Sequence, residues 1–253
     1  MNKSELFNYY MDIKNDDYTN LTNLTKDNCK KLSLVTSCKN RNSYLNIALQ
    51  SWLKFPFSEI IIVDWSSDSV ISPVNMPENV SVIRVDNQEY YEHSKVRNFK
   101  INQAKNNMIL SIDCDIILKP KFASNFFIRE NSLIMNIDNA SGIIGSSIFD
   151  KRLFNSLGGF NEALDAGWGF EDLDFYNRAK TKYNVYGFPT CEMIHIEHDD
   201  NSRVVHTRTQ NKWLSNSLNM KSALDTFDKK NPIFKDRYTI KKSNGIEEQF
   251  NVK

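Results

Sequence analysis

Ser111-Ile112-Asp113-Cys114-Asp115 closes an apolar run that begins at Met108, and its two aspartates stand one residue apart. The run reads as a short buried strand. In an open α/β sheet the ligand lies beyond the carboxyl ends of the strands. Two carboxylates delivered to such an end, with little other charge beside them, suit a hard divalent cation and the phosphates it carries. Asp-x-Asp is a short pattern, and acidic pairs also occur at solvated strand ends, so the flanking sequence has to decide between these readings.

Upstream, Leu32-Ser33-Leu34-Val35-Thr36 is the first strand, and Ser37-Cys38-Lys39-Asn40-Arg41 is the polar turn that follows it. Leu45, Ala48, Leu49, Trp52 and Leu53 recur at helical spacing from about Ser43 until Pro56 stops them. Glu59-Ile60-Ile61-Ile62-Val63 is a continuous apolar run of the kind found in a strand covered on both faces. It ends at Asp64, and Trp65-Ser66-Ser67-Asp68 follows. Val80 to Val85 supplies a third strand and Asp86 to His93 a polar loop. Ser94 is the expected N-cap of a helix carrying Val96, Phe99, Ile101 and Ala104. Alternating strands and helices, each strand ending in polar residues, predict a mostly parallel sheet with binding loops along one edge.

Downstream of Pro120, Phe122, Phe126 and Phe127 predict a helix, Ile143 to Phe149 a strand, and Arg152 to Leu157 a short helix closed by Gly158-Gly159. In Asp165-Ala166-Gly167-Trp168-Gly169-Phe170-Glu171-Asp172-Leu173-Asp174-Phe175 the glycines permit a close approach and Trp168 offers a flat apolar wall. The acidic run starts a helix reaching about Lys180. Val185 to Phe188 and Met193 to Glu197 are further strands, the second running into His198-Asp199-Asp200, and a polar helix spans about Arg203 to Met220. The expected organisation is an N-terminal extension over 1–30, one α/β domain over 31–225, and a pattern-free charged tail over 226–253.

Composition narrows the function classes. The 253 residues are 25% charged with a net charge of +1, which argues against a nucleic-acid groove or a polybasic membrane patch. Cys29, Cys38, Cys114 and Cys191 form no CxxC pair and read as reduced thiols. No apolar run approaches the ~20 residues a membrane span requires. The charged N-terminus does not read as a signal peptide, so the expected location is cytoplasmic.

The motifs, taken in order, resemble the inverting, family 2-like glycosyltransferases of the GT-A fold. Asn40-Arg41, Ile61-Ile62-Val63-Asp64-Trp65-Ser66-Ser67-Asp68, Ser94-Lys95-Val96-Arg97-Asn98, Asp113-Cys114-Asp115 and Leu157-Gly158-Gly159-Phe160-Asn161-Glu162 carry the resemblance. Trp168-Gly169-Phe170-Glu171-Asp172 is similar to the motif of β-1,4-galactosyltransferases, polypeptide GalNAc-transferases and chondroitin-type polymerases. The likeness covers roughly residues 31 to 200. It implies a single Rossmann-like GT-A domain, a Mn²⁺ or Mg²⁺ ion, and a UDP-sugar donor. It implies Asp115 as a direct metal ligand, with Asp113 holding the metal water or the ribose. His198 stands as the third protein ligand, an imidazole tilting selectivity toward Mn²⁺, with His195 as its competitor. Asp172 is the implied catalytic base and Glu171 the residue that binds sugar hydroxyls. Asn40, Arg41 and Asp64 are implied nucleotide contacts, Lys95 and Arg97 lie near the diphosphate, and Asn98 braces a loop. Phe170 stands where the galactosyltransferase form has its second glycine, and Trp65 where many relatives carry a second acid; Trp65 either stacks on the base or packs.

The acidic pair has a plainer explanation too, since the macrodipole favours carboxylates in any helix's first turn. Three functions follow. The first is transfer of galactose or an N-acetylhexosamine from UDP to a hydroxyl of a glycan or lipid-linked glycan, in a bacterial enzyme of surface-polysaccharide synthesis. It would work in the cytoplasm, held to the membrane's inner face through a partner. The second is nucleotidyl transfer, although Ser37 to Ser43 contains no glycine for a phosphate loop. The third is a non-catalytic nucleotide-sugar-binding module.

Overall fold

Apolar runs bounded by polar turns build the strands, and helical periodicity builds the segments between them. The computed structural model describes residues 22–23, 29–72, 76–125, 127–128, 130–136, 143–188, 192–226, 237–242 and 247–251. In chain order come β1 (Thr22–Asn23), β2 (Leu32–Cys38), α1 (Asn42–Trp52), β3 (Glu59–Trp65), β4 (Val80–Val85), α2 (His93–Asn102) and β5 (Met108–Ser111). Next are β6 (Ile116–Leu118), α3 (Phe122–Asn125), β7 (Phe127–Ile128), β8 (Ser132–Asn136), β9 (Ser147–Asp150) and α4 (Lys151–Ser156). A 3₁₀ turn at Glu162–Leu164 precedes α5 (Glu171–Lys180), β10 (Asn184–Phe188), β11 (Met193–His195), α6 (Asn201–Val204) and α7 (Lys212–Thr226). The last elements are β12 (Arg237–Lys242) and β13 (Glu247–Asn251).

The main sheet runs in the order β10-β8-β9-β5-β2-β3-β4-β12-β13. Neighbours β5, β2, β3 and β4 are parallel, whereas β9 and β12 run against the strands beside them. This is the expected mostly parallel sheet flanked by helices. The register pairs Val35 with Ser111 and Cys38 with Asp64, so the turns after β2, β3 and β5 gather on one edge. Alternate residues serve opposite faces: Leu34, Ile60 and Ile62 join one buried cluster, Val35, Ile61 and Val63 the other. Helix α1 closes the first face with Leu45, Leu49 and Trp52. Helices α2, α4 and α5 close the second with Val96, Phe99, Leu153, Phe154 and Phe175.

Tertiary contacts change several expectations. Ser94 is not an N-cap: α2 begins at His93, and the Ser94 and Lys95 amides donate to the Asp165 carboxylate at 2.7 and 3.1 Å, so a distant side chain caps the helix. The strand expected from Ile143 starts at Ser147, after a turn in which the Ser146 amide donates to the Ile143 carbonyl. The polar helix expected over 203–220 is broken into α6 and α7. Strand β11 leaves the main sheet and pairs antiparallel with β6, placing His195 opposite Ile116. The region after Thr226, expected to lack pattern, contributes β12 and β13, which extend the sheet from β4. Its hydrophobic signal is weak because an edge strand needs backbone partners more than apolar side chains. Of the expected N-terminal extension, only Thr22–Asn23 and Cys29–Lys30 fall within the described residues, and Phe126 and Cys191 lie outside them. Cys29, Cys38 and Cys114 are free thiols, as their spacing predicted.

Candidate active site

Where β5 ends, the chain turns through the Asp-x-Asp pair and treats its two carboxylates differently. Asp115 is buried, whereas the Asp113 side chain keeps 37% of its surface exposed. Asp115 Oδ2 lies 3.0 Å from His198 Nε2, 3.7 Å from His195 Nε2 and 2.9 Å from Arg41 Nη1. One donor atom from each of Asp115, His195 and His198 falls within 4.8 Å of the others. Both histidines reach the carboxylate because the regular strand stops at His195. The Ile196 amide then donates to the Asp115 carbonyl at 2.8 Å, and strand alternation no longer separates the side chains.

The donor chemistry suits a divalent metal. His198 Nδ1 lies 3.1 Å from the Asp199 carbonyl, which can accept the ring proton when Nε2 binds a metal. Burial pushes the His195 imidazole below its ordinary pKa, keeping it neutral. One carboxylate with two imidazoles favours Mn²⁺ or a later transition metal over Mg²⁺. Asp113, expected at the metal as the holder of its water or of the ribose, stands apart from this trio and faces Arg97 at 3.4 Å.

The second acidic centre opens α5. Phe170 precedes the helix at φ 74°, a left-handed conformation costly for a bulky residue. Position 170 is where the resembled family has glycine, and the backbone keeps the conformation glycine would take freely. Glu171 and Asp172 follow, both buried in the helix's first turn. Arg97 ties Glu171 to the Asp-x-Asp turn: Nε lies 3.3 Å from Glu171 Oε1, Nη2 3.4 Å from Asp113 Oδ1, and Nη1 donates to the Gly145 carbonyl at 2.9 Å. A Cβ on Gly145 would come within 2.6 Å of that guanidinium and 2.9 Å of Asp113 Oδ2, so any side chain there would displace Arg97 or Asp113. Burial, and then the Glu171 charge, raise the Asp172 carboxyl to about 7.

The Gly167-Trp168-Gly169 loop before α5 is held by the polar face of α7. Ser215 Oγ donates to the Trp168 carbonyl at 3.0 Å, and Asn219 Nδ2 to the Gly169 carbonyl at 2.7 Å. A Cβ on Gly167 would lie 1.9 Å from Ser215 Oγ, and one on Gly169 2.0 Å from Asn216 Oδ1. Over the Trp168 ring stand Arg203 at 5.6 Å and Lys212 at 5.2 Å.

Together these parts line a cleft of about 430 Å³ that contains Arg41, Arg97, Asp113, Asp115, Trp168, Glu171, Asp172 and His195. Other expected contacts lie elsewhere. Asp64 is fully buried and receives Arg84 Nη1 at 2.6 Å and the Ser67 and Ile71 amides, so it braces a loop rather than facing the cleft. Asn40 exchanges hydrogen bonds with Asp68. Lys95 pairs with Glu92 at 2.9 Å. Trp65 packs: it is fully buried, meets Phe99 edge-on, and donates from Nε1 to the Tyr90 carbonyl. Asn98 braces a loop, bonding Phe160 in both directions and Glu162.

Sequence reading missed Lys39, Tyr91, His93 and His206, all of which line the cleft. Lys39 directs Nζ at the Trp65, Ser66 and Gln88 carbonyls, and its position beside Asn40-Arg41 was the available signal. The other three lay in stretches that read as polar loop or helix.

Residues 127–199 match the family described as the N-terminal domain of galactosyltransferase. That segment contains the Gly-Trp-Gly-Phe-Glu-Asp stretch and both histidines of the candidate trio. The mannosyltransferase PcManGT from Pyrobaculum calidifontis, solved with GDP-Man and Mn²⁺, superposes at TM-score 0.53 with 12% identity, over 77% of this chain and 65% of that one. The catalytic domain of Drosophila β1,4-galactosyltransferase 7, solved with xylobiose, superposes at 0.53 with 13% identity, over 76% and 79%. S. aureus TarS 1-349, solved with UDP-GlcNAc, gives 0.50 with 15% identity, over 67% and 59%. The chain therefore spans 65% of the mannosyltransferase structure and 59% of the TarS structure. No curated protein matches the sequence significantly. The protein has the GT-A fold of the glycosyltransferases. Within that fold, its acidic helix start and its histidine pair lie in the galactosyltransferase-type segment.

Proposed function

We propose that the protein is an inverting, metal-dependent glycosyltransferase. It moves a sugar, galactose or an N-acetylhexosamine, from a UDP donor to a hydroxyl of a glycan or lipid-linked glycan. The observation that carries this reading is one cleft lined by Asp115 and His195, with His198 3.0 Å behind Asp115, and by a buried carboxyl, Asp172, raised to about 7. A general base works best with a pKa near the operating pH. Asp172 takes the proton of the acceptor hydroxyl as its oxygen attacks the anomeric carbon, while the bond from that carbon to the diphosphate oxygen breaks on the opposite face. A bound Mn²⁺ supplies Lewis-acid stabilisation of the departing diphosphate. Arg41 adds positive charge at Asp115, and Trp168 offers an apolar wall for a sugar ring.

The galactosyltransferase-type segment supports a hexosyl donor, and the solved relatives with GDP-Man and UDP-GlcNAc support a nucleotide sugar. Among the described residues no helix is long and apolar enough to cross a membrane, which fits an enzyme held at the inner face of a bacterial membrane by a partner in surface-polysaccharide synthesis. The deciding experiment is UDP release from a panel of UDP-sugars, with Mn²⁺ and with EDTA, for wild type and Asp172→Asn. One sugar should turn over, only with metal, and the variant should be at least about 100-fold slower. No turnover, together with no metal-dependent UDP binding by calorimetry, would reject the reading.

A further inference from the structure

Helix α2 presents His93 and Arg97, four residues apart, to the same oxygen of Glu171. His93 Nδ1 lies 3.6 Å from Glu171 Oε1, and Arg97 Nε lies 3.3 Å from it. The outer atoms of this pair are left over: His93 Nε2 and Glu171 Oε2 are both buried and have no hydrogen-bond partner. Both residues line the cleft. A buried polar atom left without a partner is costly, and two of them lie in the residues of one cleft wall.

We propose that His93 is a sugar-binding residue of this cleft, its Nε2 accepting a hydrogen bond from a pyranose hydroxyl beside the free oxygen of Glu171. The inference rests on the glycosyltransferase reading and deepens it. The tautomer follows from the neighbours. A carboxylate oxygen only accepts, so the ring proton belongs on Nδ1, facing Glu171 Oε1. Nε2 then carries a lone pair and needs a donor. Burial and the nearby Arg97 guanidinium hold the imidazole neutral, with its pKa pushed down to about 3. The ring is fixed by an edge-on contact with Tyr91 at 4.9 Å, and Tyr91 is tied in turn to Ser37 through a 2.7 Å hydroxyl–hydroxyl bond. Two acceptors in this wall, each without a donor from the chain, select a hydroxyl-rich ligand over an anion. This wall is thus built for sugar, not phosphate. The hydroxyl belongs to the transferred sugar or to the acceptor sugar, and the test separates them.

Calorimetry with Mn²⁺ compares UDP with the UDP-sugar that turns over, for wild type, His93→Phe and His93→Gln. Phenylalanine keeps the ring against Tyr91 and removes the acceptor, whereas glutamine restores an acceptor oxygen. If the hydroxyl is on the donor, UDP affinity stays put and UDP-sugar affinity falls about 5- to 20-fold in His93→Phe, recovering in part in His93→Gln. If it is on the acceptor, both affinities stay put, and KM for a methyl glycoside acceptor rises by that factor instead. Unchanged values for donor and acceptor overturn the proposal. So does an equal loss of UDP affinity in both variants, which would make His93 part of the scaffold. Failure of wild type to bind any UDP-sugar is a different result: it rejects the glycosyltransferase reading before the variants are compared.

Discussion

On the proposed function, Asp172 links stability and catalysis in one side chain. Its folded pKa of about 7 lies above the ordinary carboxylate value, so the folded state keeps a proton that the unfolded chain has released. Between those two values stability therefore falls as pH rises. Asp172→Asn removes that penalty, and at about pH 8 its melting temperature should equal or exceed that of wild type while transfer is lost. A lower melting temperature would contradict this account. In wild type, the transfer rate should climb as pH rises through about 7 and then level off. Arg97 acts in the opposite sense, since it is buried between Asp113 and Glu171. Arg97→Met leaves those acids without their counter-charge and should cost about 3–5 kcal/mol in urea unfolding. Arg97→Lys should not rescue it, because one ammonium cannot serve Gly145, Asp113 and Glu171 in the planar fork of a guanidinium. At the candidate metal trio, changing a residue that only hydrogen-bonds a ligand alters affinity about 10- to 100-fold. Asp115→Asn or His198→Ala should therefore raise the Mn²⁺ concentration for half-maximal activity at least tenfold.

Elements place these residues through contacts that lie far apart in sequence. Strand β11 delivers His195 and His198 to Asp115 only because it pairs with β6, immediately after the Asp-x-Asp turn. Helix α7 fixes the Gly-Trp-Gly loop through Ser215 and Asn219. Gly167→Ala would force its new methyl against Ser215, and Gly169→Ala would in addition hold alanine at φ 99°. Each should reduce transfer by an order of magnitude or more with a smaller effect on UDP affinity, as turnover and calorimetry can separate. Removing the side chain that collides offers a control: Ser215→Gly should partly restore Gly167→Ala. The close approach of the glycine loop was legible, since two glycines before a helix are costly without a reason. Their clamp was not legible, because α7 reads as an ordinary polar helix.

At the scale of the whole molecule, the C-terminal segment is part of the sheet. Strand β12 covers the edge of β4, with Ile240 opposite Val85, and β13 covers β12. A chain ending at residue 236 would leave β4 with open backbone donors and acceptors. It should self-associate, as light scattering would detect, while keeping metal-dependent UDP binding. Loss of binding along with association would show that the edge strands also support the cleft.

Sequence alone determined the alternation of strands and helices, the doubly covered sheet, the strand-end location of Asp113 and Asp115, and the acidic start of α5. These are local properties: apolar periodicity, turn residues and the order of motifs along the chain. Tertiary structure decided which polar residues share the cleft. It turned Asp64 and Trp65 inward, tied Lys95 to Glu92, placed His195 beside His198, and brought His93 to Glu171. The physical reason is that a polar side chain carries the same sequence signal whether it meets water, an ion-pair partner or a ligand. Only the packing of β11 on β6, and of α2 against the start of α5, supplies the partners and excludes the water.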